Sequence, residues 1–229
     1  MKEIIVISLG GSLIVPEKVD TLWLDKFKNL IIKMKNKYKF VISCGGGFVA
    51  REYISILNNE RKSKKQQSLA GIDITRMNAK IMMQIFGNHS NKELPADMKQ
   101  IASMLKKKDI VFCGALRYAP NQTSDTTSAK LANYLKTKFI NITNVDGLYT
   151  DNPLKNKNAK FIEKISWNEF EKRALKIKYK PGQHFVLDQK AATIIRKNKI
   201  ITYIVGKNLN YLGNLLEGKN FKGTTIGDE

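Results

Sequence analysis

Apolar residues along the chain alternate between short β-branched runs and longer stretches with three-to-four-residue spacing. Ile4 to Leu9 is an apolar run that stops at Gly10-Gly11-Ser12, which predicts a buried strand and a tight turn. Leu22, Phe27, Leu30, Ile31 and Met34 then mark one face of a helix over 22–37. A second strand, 39–44, ends at Gly45-Gly46-Gly47 and feeds a helix over 48–58. The charged stretch 59–67 reads as a connector, and 72–86 and 96–107 read as helices. A third strand, 109–113, again ends at glycine, and 124–135 and 138–143 predict a helix and a strand. Asp146-Gly147 turns the chain, and 161–162 is a short strand. Helices over 167–174 and 188–197 precede a last buried strand, 200–205, and a last helix, 209–216.

Strands and helices follow one another with βα spacing. This predicts an α/β fold, a three-layer αβα sandwich with a central, mostly parallel sheet and helices on both faces. No fixed-period repeat or low-complexity linker divides the 229 residues, so a single domain is expected, with a boundary between two lobes near residue 140. In such a sheet, ligands collect at the carboxyl ends of the strands.

Charge complicates this picture. Lys plus Arg number 40 against 20 for Asp plus Glu, a formal net charge of +20 that suggests a nucleic-acid partner. However, only 6 of the 40 cations are Arg, the residue suited to bidentate base and phosphate contacts. The excess therefore reads as a solvated, lysine-rich surface, and a nucleic-acid partner is not expected. No apolar run approaches the ~18 residues of a membrane span, and 4–9 is too short for a signal-peptide core. Two Cys (Cys44, Cys113) and two His (His89, His184) make neither a disulfide framework nor a zinc cluster. The expectation is a cytoplasmic protein with no membrane partner and both thiols buried as small hydrophobes.

The chemistry concentrates at the strand ends. A glycine turn that opens a helix presents free N–H groups and the positive end of the helix dipole, which is a phosphate site. Several such turns at successive strand ends converge on one crevice. The Walker pattern Gly-x-x-x-x-Gly-Lys-Ser/Thr is absent. Gly45-Gly46-Gly47-Phe48-Val49-Ala50 fits a dinucleotide fingerprint formally, but no acidic strand end follows about 20 residues on.

A set of segments in fixed order resembles the amino-acid kinase superfamily, most closely the uridylate (UMP) kinases of archaeal type. They are Leu9-Gly10-Gly11-Ser12, Gly45-Gly46-Gly47 with Ala50-Arg51, Gly71 to Arg76, Thr123-Ser124-Asp125, Ile142 to Tyr149, Asp188 with Ala191-Ala192, and Gly223 to Ile226. The resemblance implies transfer of the γ-phosphoryl group of ATP, carried with Mg²⁺, to UMP, in a homo-oligomer that is commonly a hexamer. It implies an acceptor lobe over 1–140 and an ATP lobe over 141–229. Gly11, Ser12, Gly47 and Arg51 would meet ATP phosphates, and Thr143, Asn144, Tyr149 and Asn152 would line the adenine-nucleotide pocket. Gly46, Ser68, Arg117, Thr123 and Ser124 would hold UMP. Arg51, Asp125, Asp188 and Lys190 would serve catalysis, with no metal held by protein side chains alone.

The chain departs from the family pattern at several positions. Ser8 stands where the superfamily often has Lys, and the helix motif after Asp188 has Thr193 where Lys is usual, with Lys190 one turn away. Ser68 replaces an acidic residue expected to meet the UMP ribose, and a hydroxyl binds a sugar without charge assistance. Tyr149-Thr150-Asp151-Asn152-Pro153 offers Asp151 or Asn152 for the other ribose, and the long loop 114–123 carries Arg117, either an added phosphate clamp or an exposed surface residue. These changes leave two alternatives: a kinase of another small phosphate or acid acceptor, and a nucleotide-binding or storage protein on the same fold.

Overall fold

The computed structural model describes residues 2–120, 122–151, 156–176 and 186–228. In chain order its elements begin with β1 (Glu3–Leu9), α1 (Gly11–Ile14), α2 (Thr21–Met34), β2 (Tyr38–Cys44), α3 (Gly47–Asn59), α4 (Lys64–Phe86), α5 (Met98–Lys107) and β3 (Ile110–Cys113). They continue with α6 (Ser124–Leu135), β4 (Lys138–Ile142), β5 (Leu148–Tyr149), β6 (Phe161–Ile162), β7 (Lys164–Ile165), α7 (Trp167–Leu175), α8 (Gln189–Lys197), β8 (Thr202–Val205), α9 (Leu209–Glu217) and β9 (Gly223–Ile226). Seven strands form one sheet in the order β3-β2-β1-β4-β8-β9-β7, and β5 and β6 pair as a separate hairpin. Within the seven-stranded sheet, only the β8–β9 pairing is antiparallel.

The continuous apolar run of β1 follows from its place inside the sheet, where both faces are covered. Ile5, Ile7 and Leu9 enter a core shared with α1, α2, α4 and α9. Val6 enters the opposite core, shared with α5, α6, α7 and α8. These are the three layers expected from the alternation of elements. Cys44 and Cys113 are buried and unpaired, one in each core. Burial pushes both thiols up, Cys113 to about 12, so neither is reactive at neutral pH.

The expected connector over 59–67 is corrected. α4 starts at Lys64, because Ser63 and Gln66 form a reciprocal capping box that satisfies the first free N–H groups. Lysines inside that first turn disguised the helix start. Nor is 200–205 the last strand: β9 returns antiparallel to β8 and carries β7 on its far side. These strands are too short to show a period of their own, and only pairing creates them. Residue 140, the expected lobe boundary, falls within β4 in mid-sheet. Asn152 and His184 lie outside the described residues.

Phe86 anchors the first core. Its ring meets Phe112 edge-on at 4.7 Å and Phe27 at 6.2 Å, and it is 1% exposed. Truncation to Ala leaves a cavity between α2, α4 and the sheet. Phe86→Ala is expected to cost about 3–5 kcal/mol of stability, measured by the urea unfolding midpoint.

Candidate functional site

The site is built first from two turns at the ends of adjacent strands. Leu9 of β1 lies in register with Cys44 of β2, so the turns that follow emerge at the same level. Gly45 N–H donates to the Leu9 carbonyl, and Gly10 N–H donates to the Ile142 carbonyl, each at 2.9 Å. These bonds seat the first turn against β4 and the second against the end of β1. A Cβ on Gly11 would lie 2.0 Å from the Gly47 nitrogen and 2.5 Å from the Gly45 carbonyl carbon, so only hydrogen fits there. Gly47 has φ +67°, a left-handed conformation that suits glycine. The helices opened by these turns, α1 and α3, begin at Gly11 and Gly47.

A second group of polar side chains ties α6 and α8 together. Asp188, 1% exposed, caps α8 by accepting from Ala191 N–H at 2.8 Å. Its carboxylate also accepts from the Thr123 hydroxyl at 2.6 Å and from the Thr126 hydroxyl and amide. One carboxylate therefore holds the N-termini of two helices, a role that anions fill well. Asp125 sits beside it and accepts from the Ser8 hydroxyl at 2.8 Å. Enclosure by protein, reinforced by the nearby Asp188 charge, pushes the Asp125 carboxyl up to about 7, against the opposing hydrogen bonds from Ser8 and Thr123. Ser8 thus supplies a neutral hydrogen bond where a lysine would have supplied a charge.

The third wall comes from the chain after β4. Thr143 N–H donates to the Val205 carbonyl at 3.0 Å, and the Thr143 hydroxyl donates to the Asn144 side chain at 3.3 Å. Tyr149 packs edge-on against Phe161 with ring centroids 5.3 Å apart. Buried Thr224 of β9 pins that hairpin, accepting from Leu148 N–H at 2.7 Å and donating to the Ile162 carbonyl.

These elements enclose a cavity of about 1070 Å³. It gathers Arg51, Asp125 and Asp188, together with Gly11, Ser12, Gly46, Gly47, Ser68, Arg117, Thr123, Ser124, Thr143, Asn144 and Tyr149. Of the sequence-derived candidates among the described residues, only Lys190 does not line it. Lys190 is exposed, and its Nζ donates to the Pro120 carbonyl at 3.0 Å. Asn152 lies outside the described residues. The cavity also has lining cations that the sequence reading missed, Arg173 and Lys176 at the end of α7. Arg173 pairs with Glu169 one turn earlier at 3.1 Å, the i,i+4 spacing of an ordinary helix surface, and the pairing of β7 with β9 together with the packing of α7 on α8 brings this helix to the site. Behind Arg117, Lys130 donates to the Gln122 side chain at 2.7 Å. Partial desolvation and the nearby Lys190 charge lower its pKa.

Amide-rich turns, hydroxyls and a few fixed cations around one large cavity suit phosphate-bearing ligands. The profile of the Amino acid kinase family matches residues 3–206. The chain belongs to the amino acid kinase family. Among its relatives is a uridylate kinase of Pyrococcus abyssi, 36% identical over 97% of this chain and 98% of that protein. Another, from Thermoplasma volcanium, is 32% identical with full coverage of both chains. The crystal structure of uridylate kinase from Archaeoglobus fulgidus superimposes with a TM-score of 0.84 at 29% identity, covering 99% of this chain and 100% of that one. For UMP kinase from Ureaplasma parvum the TM-score is 0.82 at 23% identity, covering 100% of both chains, a likeness of fold.

Two tests address this amino acid kinase site. Gly11→Ala must separate the two turns, so nucleotide binding is expected to be lost while the far core stays folded, as read by calorimetry beside circular dichroism. Asp125 titrates near 4 in an unfolded chain and at about 7 when folded. The folded state therefore holds the extra proton between those values, and this group's contribution to stability falls as pH rises through that window. Asp125→Asn is expected to remove that downward slope in urea midpoints measured from pH 4.5 to 8.

Proposed function

We propose that the protein transfers the γ-phosphoryl group of ATP, taken as its Mg²⁺ complex, to the phosphate of UMP, giving UDP and ADP. The observation that carries this reading is the convergence of two glycine turns and their helix N-termini on a single cavity with Arg51 and Arg117. Relatives named uridylate kinase at 31–36% identity supply the acceptor. A cavity of about 1070 Å³ is at the upper end of small-ligand sites, which leaves room for two nucleotides.

The chemistry asks little covalent work of the protein. The acceptor phosphate is already an anion at neutral pH, so no general base is needed. The barrier is the repulsion between two polyanions, which positioned amides and cations offset. Gly11, Ser12, Gly47 and Arg51 hold the ATP phosphates, and Thr143, Asn144 and Tyr149 flank the adenosine. Gly46, Ser68, Arg117, Thr123 and Ser124 hold UMP. In this arrangement the acceptor side comes mainly from residues 1–140 and the adenosine side from 141–229. Asp188 and Asp125 position the N-terminus of α6 rather than react. Lys190 restrains the Arg117 loop through Pro120, so its contribution to catalysis is indirect.

Among the described residues, no three His, Cys, Asp or Glu side chains come together to hold a metal. Asp188 already spends its oxygens on hydroxyl and amide donors. In this reading Mg²⁺ arrives as part of the ATP substrate. The two unpaired cysteines agree with a reducing compartment such as the cytoplasm.

A homo-oligomer, hexameric if it follows the family expectation, fits one exposed face. Leu69, Met77 and Ile81 of α4 form a stripe at multiples of four residues, with Tyr53 and Ile56 of α3 exposed beside them. Asp73 lies within the stripe and Arg76 and Lys80 at its edge, a pattern that is self-complementary about a twofold axis.

Purified protein with ATP, Mg²⁺ and UMP is expected to release ADP, with CMP, dUMP and isopentenyl phosphate as comparison acceptors. Nucleotide binding by calorimetry without ADP release would favour the storage alternative instead. Arg51→Ala is expected to lower kcat by roughly 10²–10³-fold. Ile81→Glu is expected to reduce the mass measured by light scattering.

A further inference from the structure

We propose that Asn78 is a positioning residue for phosphoryl transfer, holding the peptides of the Gly45–Gly47 turn so that their N–H groups face the phosphates. The proposal rests on the phosphoryl-transfer reading above. Asn78 lies in α4, is 3% exposed, and does not line the cavity. Its side-chain amide donates to the Gly45 carbonyl at 2.7 Å and to the Gly46 carbonyl at 3.3 Å. Both partners are carbonyl oxygens, so the side-chain nitrogen is the atom that must face them.

The consequence follows from peptide geometry. In a planar trans peptide the N–H points opposite to the C=O. The Gly45 carbonyl shares its peptide with Gly46 N–H, and the Gly46 carbonyl shares its peptide with Gly47 N–H. Drawing both carbonyls toward α4 therefore turns both N–H groups away from it, at the N-terminus of α3. Neither N–H has an acceptor among the described residues. The Gly46 carbonyl also accepts from Ala50 N–H at 3.4 Å as α3 begins, whereas Asn78 is the partner of the Gly45 carbonyl among the described residues, and glycine itself has little intrinsic preference for this orientation. A flip of either one would put a carbonyl oxygen, with its partial negative charge, where a phosphate must sit.

One turn before Asn78 on the same helix, Thr75 performs a similar task for the next strand. Its hydroxyl accepts from Ala115 N–H at 2.9 Å and donates to the Ile72 carbonyl at 2.7 Å. A single face of α4 thus fastens the loops that follow β2 and β3. Asn is a poor choice for helix propensity, and a buried amide is unfavourable unless bonded. Its two carbonyl partners account for its presence.

The test compares Asn78→Asp, Asn78→Ala and Asn78→Ser with the wild type. Asp keeps the shape but replaces the donor with an acceptor, and Ser keeps a shorter donor. The expected result is folded protein, by circular dichroism, with kcat/KM for UMP reduced about 100-fold in the Asp variant and less in Ser than in Ala. Protonation of the introduced carboxyl restores a donor. The ratio of wild-type to Asp-variant activity should therefore narrow at least fivefold from pH 8 to pH 5.5, while the wild-type to Ala ratio stays flat. Variants that lose activity only in proportion to unfolded fraction, or an Asp ratio that is flat with pH, would overturn the proposal. If the wild type itself releases no ADP with UMP, the phosphoryl-transfer reading fails separately. ATP and UMP affinities by calorimetry then decide the role of Asn78: unchanged affinity in folded Asp and Ala variants rejects it, and weakened affinity in both supports it.

Discussion

The site depends on one steric constraint, the contact between two backbone turns. β1 and β2 run parallel in register, and each ends at the same height in a glycine turn. The turns touch so closely that no side-chain carbon fits at Gly11. This contact brings the starts of α1 and α3 to one cavity. A phosphate there can meet amide donors from both turns without a flexible lysine to recruit them. The rest of the architecture holds that contact in place: β4 receives the Gly10 N–H, α4 backs the second turn, and the two cores fix the sheet.

Polar side chains around the cavity divide into those that meet ligand and those that orient other groups. Asp188 is occupied by Thr123, Thr126 and the start of α8, so its charge is spent inside the protein. Asp125 is raised in pKa by its enclosure and bonds to Ser8, which leaves the cavity floor without a cation at that position. Positive charge enters from the sides instead, through Arg51, Arg117, Arg173 and Lys176. The large net charge is a different matter. Lys33, Lys37, Lys62, Lys64, Lys65, Lys106 and Lys107 are exposed, and none lines the cavity. At physiological salt their field fades within about 8 Å of the surface, so they attract nucleotides weakly and select none.

Much of the fold was legible because its long elements carry their own periodicity. The runs of β1, β2 and β4 and the helical spacing of α2 each report a buried face directly. The elements that escaped are those without such a signal. β7 and β9 span two and four residues and exist through pairing with each other and with β8. The start of α4 was hidden because its first turn is charged, although its Ser63–Gln66 capping box was present in the sequence.

The candidate site divides along the same line. Sequence alone determined the glycine turns, the residues flanking them and the family, because turn chemistry and motif spacing are local properties. The tertiary structure decided which side chains share the cavity. Arg173 and Lys176 reach it because strand pairing and packing on α8 bring α7 there, and Lys190 lies outside it with its ammonium on a loop carbonyl. Asn78 acquires its role from a carbonyl pair more than thirty residues away in sequence. Such assignments depend on distances across the sheet, and hydrophobic periodicity records only which face of each element is buried.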